Sequence, residues 1–146
     1  MEELPLVNFH FQVDWGGTNI GFTEITGLDM EYEVLEYRDG ASPIYSTQKV
    51  PGLTKFSNIV LKRGVYKDDN DAFNWFNNFR QNKERRDITI SLLNEDHEPT
   101  VVWRVRDTWP VAIKYSELHA TKTEIFIERM ELAHEGIVVQ NGNDNK

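Results

Sequence analysis

The 146-residue chain is 39% hydrophobic and 27% charged, and its 24 acidic against 16 basic side chains give a formal net charge of −8. That length suits one domain able to bury about two-thirds of its unfolded surface, and the apolar content excludes wholesale disorder. The acidic balance argues against a nucleic-acid-binding face, which is ordinarily basic; the absence of cysteine removes disulfides, thiolate zinc sites and cysteine nucleophiles.

The opening Met1-Glu2-Glu3-Leu4-Pro5 has neither the positive start nor the apolar stretch of a signal peptide, and no window is long enough to span a bilayer. A chain without a membrane anchor, assembled in the cytoplasm, is the expectation. Residues 7–14 alternate apolar and polar, which predicts a half-buried strand with Val7, Phe9, Phe11 and Val13 facing the core. Trp15-Gly16-Gly17-Thr18-Asn19 reads as a turn, because paired glycines supply positive φ angles. A second strand is expected near residues 21–26. Alternation resumes with Met30, Tyr32 and Val34 on one face and Asp29, Glu31 and Glu33 on a face turned to water.

Residues 41–52, bounded by glycines and containing Pro43 and Pro51, read as a loop too long for a simple hairpin, and loops of that size are usually functional or mobile. A strand is expected over residues 56–63. After Asp68-Asp69-Asn70-Asp71, the spacing of Ala72, Trp75, Phe76 and Phe79 predicts a helix over residues 70–81 with those four on its buried face. Acidic residues stand at its positive end and Arg80, Lys83, Arg85 and Arg86 at or beyond its negative end, as the macrodipole favours.

Ile88, Ile90 and Leu92 alternate, and a turn at Asn94-Glu95-Asp96-His97 leads into Val101, Trp103 and Val105. Pro110 cannot donate to a ladder and is expected to interrupt the sheet before Val111, Ile113 and Tyr115 continue it. A last strand is expected over residues 121–132, and residues 140–146 form a polar tail. The sum is a single domain over residues 1–146, mainly β: an antiparallel β-sandwich or partly open barrel of about seven strands with one flanking α-helix.

Catalytic signatures are sparse. His10, His97, His119 and His134 lack helical zinc spacing, and neither G-x-S-x-G nor a phosphate-binding glycine loop occurs. Two carboxylates in a cleft could in principle run glycoside hydrolysis, but Glu31 and Glu33 alternate with core positions as a solvated face does. No metal or cofactor is expected, and no enzymatic activity.

Three stretches carry a family resemblance. They are Gly21-Phe22-Thr23-Glu24-Ile25-Thr26-Gly27-Leu28 with the later Glu36-Tyr37-Arg38-Asp39-Gly40; Pro51-Gly52-Leu53-Thr54-Lys55-Phe56 running into Asn58-Ile59-Val60-Leu61-Lys62-Arg63-Gly64; and Trp109-Pro110-Val111 leading to Met130-Glu131-Leu132-Ala133-His134-Glu135-Gly136. In this order, over about residues 6–139, the chain resembles the inner tube proteins of contractile phage tails and of extracellular contractile injection systems, which are related to the type VI secretion tube protein. The resemblance implies a ring-forming fold whose hexamers stack into a hollow tube, driven through a target envelope by sheath contraction. A type VI secretion-like ring acting as free hexamers and effector carrier is the alternative.

Implied partners are further copies of the chain, a sheath protein, baseplate or spike and tube-terminating proteins, and cargo effectors or a tape-measure protein in the lumen. Sequence-specific nucleic-acid binding is not expected. Family members extend the chain at residues 41–52 to reach the next ring, which makes Ser42, Pro43, Ile44, Tyr45, Ser46, Thr47, Gln48, Lys49 and Val50 the candidate inter-ring contacts. Glu31, Glu33, Lys62 and Arg63 are candidates for the lumen.

Overall fold

The computed structural model describes residues 4–17, 21–43 and 45–142. Ile44, the Thr18-Asn19 half of the expected turn and residues 143–146 of the tail lie outside the described residues.

Nine strands and one helix are present among the described residues. In chain order they are β1 (Phe11–Asp14), β2 (Glu24–Thr26), β3 (Met30–Tyr37), β4 (Gln48–Phe56), β5 (Ile59–Gly64), α1 (Asp71–Asn82), β6 (Arg86–Leu93), β7 (Pro99–Tyr115), β8 (Ile127–Ala133) and β9 (Gly136–Asn141). All pairings are antiparallel. One sheet runs β1-β6-β7-β8-β5-β2 with β9 also on β7, and β3 and β4 form a separate two-stranded sheet.

β7 explains how one sheet makes two layers. Its first half pairs with β6 and β9, and its second half, from Trp109 to Tyr115, pairs with β8. Register shifts fall between Arg86 and Ile88 on β6 and between Pro110 and Ala112 on β7; such bulges bend a strand and increase its twist. Pro110 therefore does not interrupt the sheet as expected. It sits at a bulge, where a missing N–H costs the ladder little, and the strand turns the corner between layers. Among the described residues the sheets do not close into a barrel.

Between the layers Ile59 and Leu61 of β5 and Met130 and Leu132 of β8 meet Ile88 and Ile90 of β6, Val105 of β7 and Ile137 of β9. Strict alternation puts these on one face; the perfect burial pattern of β5 and β8 follows from the period of two. α1 caps the core with Ala72 and Trp75, while Phe79 stacks on Trp109 at 5.3 Å between ring centroids. Lys83, in the left-handed conformation, ends the helix by donating its N–H to the Phe79 carbonyl.

Several boundaries differ from the sequence reading. The first strand is only β1: Val7 and Phe9 are exposed, because β1 is held by its pairing with β6 and that register ends at Phe11 opposite Leu92. The expected strand over residues 21–26 shortens to β2. Residues 56–63 divide between β4 and β5 at Ser57 and Asn58. On α1 Phe76 is 41% exposed, although it shares the helical spacing of the buried positions. Residues 121–126 lie outside the ladder, so the last expected strand begins at Ile127, and β9 takes in Gln140 and Asn141 at the start of the polar tail.

Candidate functional site

Polar groups inside the core serve packing. Arg63 is 3% exposed and pairs with Glu128 (3.0 Å) and Asp69 (3.2 Å), both themselves nearly covered. Its guanidinium also lies over the Trp15 ring at 5.1 Å, and Arg86 lies over Trp15 and Trp75 at 5.3 and 4.4 Å. Trp15, placed in a turn by its glycine neighbours, is in fact one of the most buried side chains. Gly16 adopts φ +75° and carries the chain away beneath it. Among the described residues no group of three or more His, Asp or Glu is placed to hold a metal ion.

The hairpin of β3 and β4 is built differently from the rest. Its strands pair extensively with each other and make no comparable contact with another element. Leu28 and Phe56 anchor its base against the core, but Met30, Tyr32, Val34, Leu35, Tyr37, Val50 and Leu53 are all exposed, Leu53 to 76%. Apolar residues line both faces, so no orientation of the hairpin within one molecule hides them all. The ladder shifts register between Tyr32, opposite Thr54, and Val34, opposite Pro51, so that Gly52 and Leu53 bulge out of β4 and the strand accommodates a proline beside them.

The expected inter-ring residues divide here. Gln48, Lys49 and Val50 belong to β4, paired with Tyr37, Glu36 and Leu35, so the loop is shorter than residues 41–52 and the hairpin correspondingly longer. At its tip the Ala41 N–H donates to Asp39 Oδ1 and the Ser42 N–H to the Asp39 carbonyl, both at 3.0 Å. Tyr45 is 94% exposed with the Arg38 guanidinium 5.9 Å from its ring centre. Pro43, Ser46 and Thr47 are exposed.

Of the lumen candidates, Glu31 is exposed on β3 opposite Lys55, and Glu33 is half-buried at the bulge. Lys62 faces outward from β5 and pairs with Glu24 at 3.0 Å. Arg63 does not share that face, because its neighbour Lys62 points out and the pleat turns Arg63 into the core.

The stretches that carried the resemblance converge in space. β2, β5, the end of β7 and β8 are successive strands of one layer. Gly27 has φ +92°, and a Cβ there would lie 2.1 Å from the Asn58 carbonyl oxygen, so only glycine fits where the first stretch crosses the second. Asn58 donates from its side chain to Glu131 Oε2 at 3.0 Å, and the His134 ring nitrogen Nε2 lies 2.9 Å from the Ser57 carbonyl, joining the second to the third.

The family profile described as T4-like virus tail tube protein gp19 matches residues 7–138. The chain belongs to that tail tube family. Its fold agrees with solved tube structures. A chain of an extracellular contractile injection system, the PVC sheath-tube complex in its extended state, is 32% identical, with a TM-score of 0.86 over 95% of this chain and 93% of that one. A chain of the anti-feeding prophage cap, described as the AFP tube terminating cap, is 31% identical, with a TM-score of 0.88 over 97% and 95%. Hcp1 from Flavobacterium johnsoniae shares the fold at 15% identity and a TM-score of 0.57 over 90% and 95%. No match to a curated protein sequence was found. As a tail tube family member the chain is a structural subunit, and the hairpin and the exposed sheet edges are its candidate assembly surfaces.

Proposed function

We propose that this chain forms the inner tube of a contractile injection particle or phage tail, with six copies per ring and rings stacked around a channel. The observation that carries the reading is the β3–β4 hairpin, apolar on both faces and anchored only at its base, on a fold that belongs to the tail tube family. Covering its seven exposed side chains would contribute on the order of 1–2 kcal/mol each.

Ring closure follows from the unpaired strand rims. Among the described residues β9 has one partner, β7, and it presents Val138 and Val139 to solvent; such an edge is a template for another chain. A head-to-tail contact closes into a ring when its rotation allows, and a second along the axis builds a stack. Joined sheets of more than about sixteen strands leave an aqueous channel. The polar outward faces, with Glu31, Glu33 and Lys62, are the lumen candidates among the described residues.

The action is passive and has no catalytic step: sheath contraction drives the tube, and cargo or DNA passes through the bore. Sheath, baseplate and terminator proteins are its partners, with effectors or a tape-measure protein inside, and assembly takes place in the cytoplasm. Similarity to type VI secretion tube proteins at 15% identity supports only the shared fold, so the free-hexamer carrier is the weaker reading.

Replacing residues 38–47 by a two-residue turn tests the axial role of the hairpin tip. Electron microscopy of the variant, mixed with sheath and baseplate proteins, is expected to find folded rings or monomers and at least tenfold fewer tubes. Tubes of normal length and number would refute that role.

A further inference from the structure

Two histidines that take no part in the core meet beside the segment leading into β1. His10 ends that segment, and its carbonyl accepts the Leu93 N–H at 2.8 Å. His97 stands in the turn between β6 and β7. Their ring centroids are 5.1 Å apart with the planes tilted by 36°, and Phe9 lies against the His10 ring at 4.4 Å. The other two histidines are engaged elsewhere, His119 with Glu117 and His134 with the Ser57 carbonyl. Among the described residues neither His10 nor His97 makes a hydrogen bond through its ring.

Backbone contacts hold the pair in place from both sides. Asn94 Oδ1 accepts the N–H groups of Asp96 and Glu98, both at 2.9 Å, and the His97 N–H donates to the Asn94 carbonyl at 3.0 Å. His97 itself has φ +60°, a left-handed conformation in which histidine is enriched. On the other side the β1–β6 ladder starts at the residue after His10, with Phe11 opposite Leu92.

The separation of the rings suits a shared metal ion. A divalent ion bound to an imidazole nitrogen at about 2.0–2.1 Å lies about 3.2 Å from the ring centre, so two imidazoles on adjacent corners of a tetrahedron or octahedron have centres about 4.5–5.2 Å apart. Rotation about χ2, a soft torsion in histidine, turns a nitrogen of each ring toward the common point. Charge favours a cation there: Glu95 and Asp96 border the same open cleft as His10, and none of the described residues lining it is basic. No third His, Asp or Glu among the described residues is placed to complete a ligand set, so water takes the remaining positions.

We propose that His10 and His97 form a two-histidine site for a divalent late first-row metal ion, the class for which imidazole is a good ligand. The ion staples the segment before β1 to the β6–β7 turn. That segment exposes Leu4, Leu6, Val7 and Phe9, and among the described residues β1 pairs with β6 alone, so the staple extends the hold on the chain beyond the ladder.

Titration of the untagged chain with nickel(II) chloride near neutral pH, followed by calorimetry, tests the site. One ion per chain is expected to bind with a micromolar Kd. His10→Asn and His97→Asn are each expected to weaken binding at least tenfold, whereas His119→Asn and His134→Asn leave it unchanged. In proton–nitrogen spectra the paramagnetic ion is expected to broaden the amides of residues 9–11 and 94–98 first, a readout that needs no variant to fold. Absence of saturable binding below about 1 mM overturns the proposal. So does an affinity that survives His10→Asn or His97→Asn, or broadening centred on His119 or His134.

Discussion

Arg63 is the residue on which the interior turns. It joins β5 to β8 through Glu128 and to the turn before α1 through Asp69, and its flat guanidinium packs on Trp15, which a lysine could not reproduce in shape. Removing one member of a buried ion cluster leaves the other charges covered and unmatched, at about 3–5 kcal/mol. Arg63→Ala is therefore expected to lower the urea unfolding free energy by that amount. A loss under about 1 kcal/mol would mean that Glu128 and Asp69 find water when Arg63 is gone.

At the rim of the same cluster, burial and then the charge of Glu128 raise the Tyr115 phenol above its ordinary pKa of 10.0, and a hydrogen bond with Glu128 adds to the effect. The folded chain thus keeps this proton when the unfolded chain has released it. Below pH 10 both states hold the proton and the contribution is intact; as pH climbs from 10 through the folded value, it is lost. Tyr115→Phe is expected to flatten the decline of stability above pH 10 in a series of denaturant titrations. An identical alkaline slope in the variant would assign that decline to other groups.

At the scale of elements, periodicity was a good guide wherever a strand has one wet and one dry face. β5, β6 and the first half of β7 were legible for that reason, and α1 fell within one residue of its expected bounds because its turn signals and charges agree. Only half of the hairpin was legible: the alternation of Met30, Tyr32 and Val34 marked β3, whereas β4 was missed. Residues 41–52 contain two prolines and read as loop, yet β4 starts at Gln48 and accommodates Pro51 at a bulge on a strand with a free edge. Its apolar residues sit on both faces, a pattern that fits no single-molecule strand and makes sense only with neighbours on each side. Lys62 and Arg63 failed as a pair for a simpler reason: adjacent residues on a strand face opposite ways, so the two cannot line one surface. Nothing local in the sequence marks Trp15 as core or brings His10 to His97, since both depend on pairings between distant segments.

At the scale of the whole molecule the chain divides into a cross-braced sandwich and an outrigger. The sandwich has a continuous core and two layers joined through β7, whereas β3 and β4 form a two-stranded sheet alone, and such ribbons are only marginally stable in water without a third strand or a packed face. Hydrogen exchange should therefore separate the two in the free subunit. Amides of β5 and β8 are expected to open only with global unfolding, and those of residues 48–55 to exchange at least a hundredfold faster through local opening. In assembled tubes the same hairpin amides are expected to slow to the level of the core, because neighbouring copies cover both faces. Variants that keep rings but lose stacking would then show which of the two contacts supplies the protection. Should the hairpin of the isolated subunit already exchange as slowly as β5, its order would come from within one chain, and the uncovered apolar faces would need another explanation than assembly.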